Sequence, residues 1–449
     1  MQANEAFLNY YRCPEVYADF NAPSDGFAGS SGYFRFGSDL ICYGESNWCL
    51  GAASPTVPLS DVLGDISIEG STCRLPFHPT HLVDNLRFER YVSRVQESPL
   101  EKFVRAAYYL LRPGLPVAVR RHLQRAWLNG REKTSFPSWP VDWTADRILE
   151  RLMALSLKTK NAERIPFIWF WPDGHRSCAM ITHDVETEAG LRFSPSLMDI
   201  DDSFEIKTSF QIIPEERYSV PQDILSAMRE RGFEINVHDL NHDGDLFRER
   251  SQFLQRASRI NHYVREYGAK GFRSGALYRN PDWYDAFAFS YDMSVPNVGH
   301  LDPQRGGCCT VMPYFIGNIV ELPLTTTQDY SLFHILGNFS TDLWKQQISL
   351  ILEKHGLISF IIHPDYIIQE RPRKIYIALL EHLSQLRSEA NIWMPIPGDV
   401  DAWWRQRSQM RLRQVGGTWR IEGPGKERAR VAWATVAGEG VLYAIDETS

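Results

Sequence analysis

The stretch from Cys178 to Glu186 constrains the fold of this chain more than any other. Four mostly apolar residues (178–181) run directly into a threonine, a histidine and two acids. A short apolar run with polar ends predicts a strand buried in a parallel sheet, although a strand ending in a solvated acidic turn fits equally well. Asp184 and Glu186 are two residues apart, so on an extended backbone their side chains point to the same side. The C-terminal end of such a strand is where α/β folds place their functional groups.

From Ser177 onwards, segments typical of strands and helices alternate over about 220 residues. Seven or eight such units predict an α/β fold, a distorted (β/α) barrel with its site at the strand C-termini. Polar residues again follow strand-like segments at three points: His238, Arg273 and His363. We expect their side chains to converge with the two acids at one end of the barrel.

The flanks of this alternating region differ from it in character. We divide the chain into an irregular α+β N-terminal region (1–170), the barrel (171–400), and a helix with a small β appendage (401–449). The appendage is predicted as three short strands, over residues 418–421, 429–433 and 441–445. Its role is structural or ligand-binding, and the role of the N-terminal region stays open.

A helix is predicted between about Leu100 and Gly130, and its second half carries Arg120, Arg121 and Arg125. A basic amphipathic helix can lie on a membrane surface, so peripheral membrane contact is one interpretation. A solvated helix face is the other.

The composition of the chain argues against several classes of function. The chain has 449 residues and a net charge of −7, without a long basic block, which argues against a nucleic-acid partner. No apolar run approaches the roughly 18 residues of a membrane span, and the N-terminus lacks the pattern of a signal peptide. Seven cysteines without a CxxC pair predict reduced thiols and a cytoplasmic location. The sequence leaves the oligomeric state open.

Two histidines four residues apart, His238 and His242, are candidate metal ligands. On a helical turn this spacing sets both imidazoles on one face. Two histidines and a carboxylate form a three-ligand set with open positions, the pattern of catalytic rather than structural zinc. The sequence therefore predicts a divalent metal, Zn²⁺ first, with Co²⁺ or a similar ion as the alternative.

At this point the sequence resembles the NodB-type polysaccharide deacetylases of the carbohydrate esterase family 4 superfamily, over roughly residues 177–397. Thr-His-Asp-Val-Glu (182–186) is similar to a variant of the first family motif in which one residue separates the acids. The resemblance implies that Asp184 is the general base and Glu186 a metal ligand. It also implies that His238 and His242 are the second motif, and that the apolar strand ending in His363 is the fifth.

The third family motif, Arg-x-Pro-aromatic, is met here only by Arg-Ser-Gly-Ala (273–276), with Tyr278 two positions on. The resemblance implies that Arg273 tethers Asp184, and it makes Tyr278 a candidate for contact with substrate. The fourth motif is not evident, and Glu321 and Asp329 are both candidates for an acid that supports the catalytic histidine. Asp365 is a third.

His183 either contacts and supports the residues of the site or has a purely structural role. His363, as an imidazolium, would protonate the leaving amine. The main hypothesis is a metal-dependent hydrolase that removes acetyl groups from an N-acetylated sugar or polysaccharide. Two alternatives remain: hydrolysis of a small cyclic amide or imide on the same fold, and a non-catalytic glycan-binding protein.

Overall fold

The structure is a computed structural model that describes residues 4–22, 31–46, 51–92, 133–438 and 440–446. The helix expected over residues 100–130, with Arg120, Arg121 and Arg125, lies outside this described part. None of the helices within it has both the length and the apolar character needed to cross a membrane.

In the described residues, the N-terminal region forms small sheets and amphipathic helices. Their bounds are α1 (Glu5–Tyr11), β1 (Phe20–Asn21), β2 (Gly32–Arg35), β3 (Ile41–Gly44), β4 (Ser67–Glu69), β5 (Thr72–Arg74), α2 (Pro79–Arg87), α3 (Thr144–Thr159) and β6 (Ile165–Ile168). Their buried aromatic residues pack against the barrel in one continuous apolar core, which also contains Met180 and Leu357 of the barrel strands.

The alternating strands and helices from Ser177 onwards form the barrel. Its elements are β7 (Ser177–Val185), α4 (Glu188–Ser203), β8 (Ser209–Ile212), α5 (Gln222–Glu230), β9 (Glu234–His238), α6 (Arg250–Glu266), β10 (Gly271–Arg273), β11 (Tyr291–Asp292), β12 (Tyr314–Ile316), β13 (Ile319–Glu321), α7 (Asp342–Leu352), β14 (Leu357–Ile361), α8 (Pro364–Ile367), α9 (Glu370–Glu389) and β15 (Ile392–Trp393). The helices present apolar stripes to the sheet: α6, for example, buries Phe253, Ala257, Ile260 and Val264.

The strands form one curled sheet in the order β12-β13-β11-β10-β9-β8-β7-β14, with β15 also paired to β7. All pairs are parallel except β12 with β13. Side chains span the gap between the sheet ends: Thr325 Oγ1 donates to Leu357 O at 2.7 Å, and Thr326 Oγ1 donates to Ser359 O at 2.7 Å. The predicted α/β fold with a distorted barrel is confirmed.

The C-terminal tail is joined to the rest of the chain more closely than the predicted β appendage would be. After α10 (Pro397–Gln409), its strands are β16 (Arg411–Val415), β17 (Thr418–Glu422), β18 (Val431–Ala437) and β19 (Gly440–Ile445). The three predicted strands are present as β17, β18 and β19, and the sequence missed a fourth, β16, which pairs with β17 in a hairpin. β18 pairs with β6, so the tail completes a sheet that begins in the N-terminal region.

A buried ion pair fastens the N-terminal region to the barrel mouth. Arg279, in the loop after β10, donates from Nε to Glu89 Oε2 at 2.6 Å and from Nη2 to Glu89 Oε1. The side chains of Arg279 and Glu89 are 0% and 6% exposed. Removing one partner of such a pair leaves the other charge buried and uncompensated.

We expect Glu89→Gln to lower the free energy of unfolding by about 3–5 kcal/mol, measured by urea denaturation. The matched control is Glu69→Gln, because Glu69 and Arg74 form a pair whose side chains are more than 60% exposed. That variant should change the stability little. Equal, small effects of both substitutions would contradict a structural role for the Glu89 pair.

Candidate active site

The two acids after the apolar stretch take their positions from the alternation of β7. All nine residues of this strand are buried, as expected for a central strand covered on both faces. Thr182 and Asp184 point into the barrel mouth, whereas His183 points outward to the helices. Glu186 follows directly, and Thr187 then caps α4 by accepting a hydrogen bond from Gly190 N.

The two histidines meet, but not on a helical turn, so that part of the prediction is wrong. His238 is the last residue of β9, and His242 lies in the following loop with a φ of 55°. His238 Nδ1 is 3.1 Å from Arg273 O. Because a carbonyl oxygen only accepts, Nδ1 carries the hydrogen and Nε2 keeps its lone pair for a ligand.

Glu186, His238 and His242 each offer an atom within 4.8 Å of the other two. Glu186 Oε1 lies 2.9 Å from His242 Nε2 and 3.9 Å from His238 Nε2. Both Nε2 atoms are buried, and neither makes a hydrogen bond of good geometry with any described residue. Two buried imidazole nitrogens facing one carboxylate at these distances fit a divalent metal of the zinc type.

Arg273 holds Asp184 from the other side of the barrel. Its Nη1 donates to Asp184 Oδ1 at 2.8 Å and to Thr182 Oγ1 at 2.6 Å, and its Nε donates to Met293 O at 3.0 Å. Burial alone would raise the pKa of Asp184, but the charge of Arg273 holds it below its usual value. Asp184 is therefore ionised and aimed with Oδ2 toward His238, 3.8 Å from Nε2.

His363 also approaches Glu186, with its Nε2 3.5 Å from Glu186 Oε1. Asp329 supports it: Asp329 Oδ1 is 2.6 Å from His363 Nδ1, and Oδ2 accepts from His363 N at 2.8 Å. Burial alone would lower the pKa of His363, but Asp329 and Glu186 raise it well above its usual value. The imidazolium form is thus favoured near neutral pH.

The other candidate acids lie elsewhere. Asp365 accepts from Gly190 N at 3.1 Å and from Thr187 Oγ1, so it holds the start of α4 rather than His363. Glu321 accepts from Val295 N at 3.0 Å inside the barrel. Of the three candidates, it is Asp329 whose carboxylate reaches His363.

His183 and Tyr278 lie outside the cluster of ligand atoms. His183 Nε2 is 3.0 Å from Asp201 Oδ2 on α4, and its ring packs against Phe210 and Tyr376. This arrangement favours the structural interpretation of His183. Tyr278 is partly exposed beside Gly244, in the loop that carries His242.

The chain departs from the third motif at Gly275, where the motif has a proline, and the contacts of Gly275 explain this departure. A Cβ added at Gly275 would lie 2.4 Å from Asp239 Oδ2 and 3.2 Å from the His242 ring. Gly275 N also donates to Asp239 Oδ2 at 3.1 Å, a bond that a proline cannot make. Asp239 and Gly275 therefore fit each other and close the space behind His242.

Sequence analysis missed two residues that hold in place the loop carrying His242. Arg217 Nη2 donates to His242 O at 2.7 Å, and Asp239 holds Gly275. Asp239 stands inside the His-Asp-Leu-Asn-His segment and could have been suspected there. Nothing in the local sequence singles out Arg217.

Comparison with known proteins identifies no family for this chain. No protein-family model matches the chain, and no curated protein matches it. A probable polysaccharide deacetylase from Pseudomonas aeruginosa superimposes with a TM-score of 0.42 and 12% identity, over 56% of this chain and 96% of that one. The allantoinase PuuE gives 0.39 and 15%, over 52% and 92%. A family 4 carbohydrate esterase from Streptomyces lividans, in complex with acetate, gives 0.32 and 11%, over 49% and 92%. Likenesses of this strength carry no argument about activity, which has to come from the geometry above.

We expect Asp329→Asn to lower the pKa of His363, because it removes the anion that opposes the effect of burial. Histidine ring ¹⁵N NMR over a pH series measures this pKa. Asp365→Asn is the matched control, and it should leave the pKa of His363 nearly unchanged because Asp365 contacts Thr187 and Gly190. A larger shift in the control than in Asp329→Asn would contradict the assigned partner.

Proposed function

We propose that this chain is a metal-dependent hydrolase that removes an acetyl group from an N-acetylated sugar or polysaccharide. One observation carries the proposal: an ionised Asp184 and a proton-bearing His363 flank the same three candidate ligands at the carboxyl end of a barrel. A base and an acid on either side of a Lewis-acid site are what hydrolysis of an amide requires.

Glu186, His238 and His242 would hold the cation, with Zn²⁺ favoured by the donor set and Co²⁺ as the alternative. When bound, such a cation lowers the pKa of water toward about 7 and polarises a carbonyl group. To act as a ligand, His242 would have to give up a proton, because burial lowers its pKa but Glu186 raises it more, to a net value above the usual one.

Asp184 acts as the general base. Its Oδ1 is held by Arg273, so Oδ2 is the oxygen that takes the proton of the attacking water. The low pKa keeps this carboxylate ionised, and the fixed guanidinium keeps it aimed.

His363 acts as the general acid. Asp329 holds Nδ1, so Nε2 faces the site and carries the proton that is transferred. Water adds to the carbonyl carbon, the C–N bond breaks, and the leaving nitrogen takes the proton from His363. The products are acetate and a free amine.

Hydrolysis of a small cyclic amide or imide is the second candidate, and the burial of the site favours it. The side chains of Asp184, His238, His242 and His363 are 4%, 2%, 10% and 5% exposed, and only Glu186 reaches 25%. Reacting groups this buried suit a small substrate or the end of a polymer better than the middle of one.

The deciding experiment measures release of acetate from a panel of N-acetyl sugars, after dialysis against a chelator and with added Zn²⁺ or Co²⁺. We expect release that depends on the added metal. The control panel consists of small cyclic amides and imides, followed by ring opening. Metal-dependent ring opening without acetate release would select the second candidate, and a chain that binds glycans without metal would contradict both.

Two substitutions separate the base from the ligands. Asp184→Asn should lower kcat by about 10²–10⁴-fold while the metal content stays near one per chain, because Asp184 is not among the three ligands. His238→Ala should lose both metal and activity. His382→Ala, in a half-buried histidine of α9 that is not part of the site, is the control and should lose neither. Equal loss of metal in Asp184→Asn would make Asp184 a ligand.

A further inference from the structure

Apart from the candidate active site, a polar cleft lies beside the segment that positions His363. It is formed by the loop at Trp139 and Pro140, the loop at Leu301 and Asp302, and the segment 324–331 after β13. The centre of a water-sized molecule can occupy about 20 Å³ of this cleft. This is room for one or two waters or a comparably small group, not for a whole sugar ring.

Two hydroxyl groups in the lining are buried without a partner. Thr327 and Ser331 are 8% and 1% exposed, and neither Oγ hydrogen-bonds to another atom of the described residues. An unsatisfied buried hydroxyl is costly, so such groups point to a ligand that completes their bonds. Ser331 also opens the π-helical turn Ser331–Ile335, a rare conformation that recurs at functional sites.

The remaining lining defines the chemistry of the occupant. Asp302 is 5% exposed and accepts from Gln328 Nε2 at 2.8 Å. Burial raises the pKa of Asp302 to about 6, which leaves mostly carboxylate at pH 7. Among the described residues, the lining contains neither lysine nor arginine, so a carboxylate or phosphate would face the charge of Asp302 without a cation to compensate it. Trp139, Leu301 and Leu324 add apolar walls that suit C–H groups.

The cleft is tied to the candidate active site through the chain. Thr327 and Ser331 stand two residues before and after Asp329, the partner of His363. Leu324 packs with Leu277 and Ile361, which lies two residues before His363. A group held by the two hydroxyls therefore lies against the segment that aims the general acid.

We propose that this cleft is a subsite that binds one uncharged hydroxyl-bearing substituent of a sugar, such as a hydroxymethyl arm, with Thr327 and Ser331 as the specificity-determining contacts. The proposal rests on the proposed function, because it places a sugar at this site. It also assigns a role to the N-terminal region, which supplies Trp139 and Pro140 as one wall of the cleft.

The test measures binding of N-acetylglucosamine and of acetamide to the full-length, chelator-treated protein by isothermal calorimetry and ligand-observed NMR. Thr327→Val and Ser331→Ala should each weaken binding of N-acetylglucosamine about 2- to 10-fold, the range of one lost hydrogen bond. Acetamide carries no hydroxyl, so its binding should not change. Ser177→Ala is the matched control, because this buried hydroxyl is equally unpartnered but lies at the start of β7.

Unchanged affinity in both cleft variants, or no binding of N-acetylglucosamine to the wild-type chain, would overturn the subsite. The two proposals fail separately. Weaker binding in the variants without any acetate release supports the cleft and refutes deacetylation. Acetate release with the same kcat/KM in wild type and both variants supports deacetylation and refutes the cleft.

Discussion

The arrangement of the site depends on the hydrogen bonds made by Arg273. Its guanidinium, fully buried, bonds to Thr182 and Asp184 of β7 and to the backbone after β11. Its carbonyl oxygen accepts from Asp239 N at 2.7 Å and fixes the ring of His238. One residue therefore holds the proposed general base with its side chain and a candidate metal ligand with its backbone. Such a charge is tolerated in the barrel only because Asp184 compensates it.

The N-terminal region contributes to the barrel mouth rather than standing beside it. Glu89 pairs with Arg279, six residues after Arg273, and also accepts from Gly307 N at 2.6 Å. Trp139 and Pro140 form a wall of the polar cleft. The same region shares its apolar core with the C-terminal sheet through β6 and β18. The flanks thus shape the loops that a barrel of this kind leaves variable.

What the sequence could and could not predict follows from distance along the chain. The period of two places Asp184 and Glu186 on one side, and the apolar strand delivers His363, because both are local patterns. The choice among Asp329, Asp365 and Glu321 is not local, since Asp329 reaches His363 across 34 residues. The helical turn at His238 and His242 failed because Asp239 and His242 both adopt positive φ. The pairing of β18 with β6 joins segments more than 260 residues apart.

The charges of the site balance in pairs, and this balance indicates what the site is built to hold. Asp184 faces Arg273, Asp329 faces His363, and Glu186 faces His242, whose raised pKa favours a proton. A divalent cation that displaced this proton would add two positive charges and remove one, which would leave the site with a net charge of +1. Exclusion of water would make that surplus strong. In the proposed reaction it would favour the single negative charge on the carbonyl oxygen after water adds, more than the neutral amide.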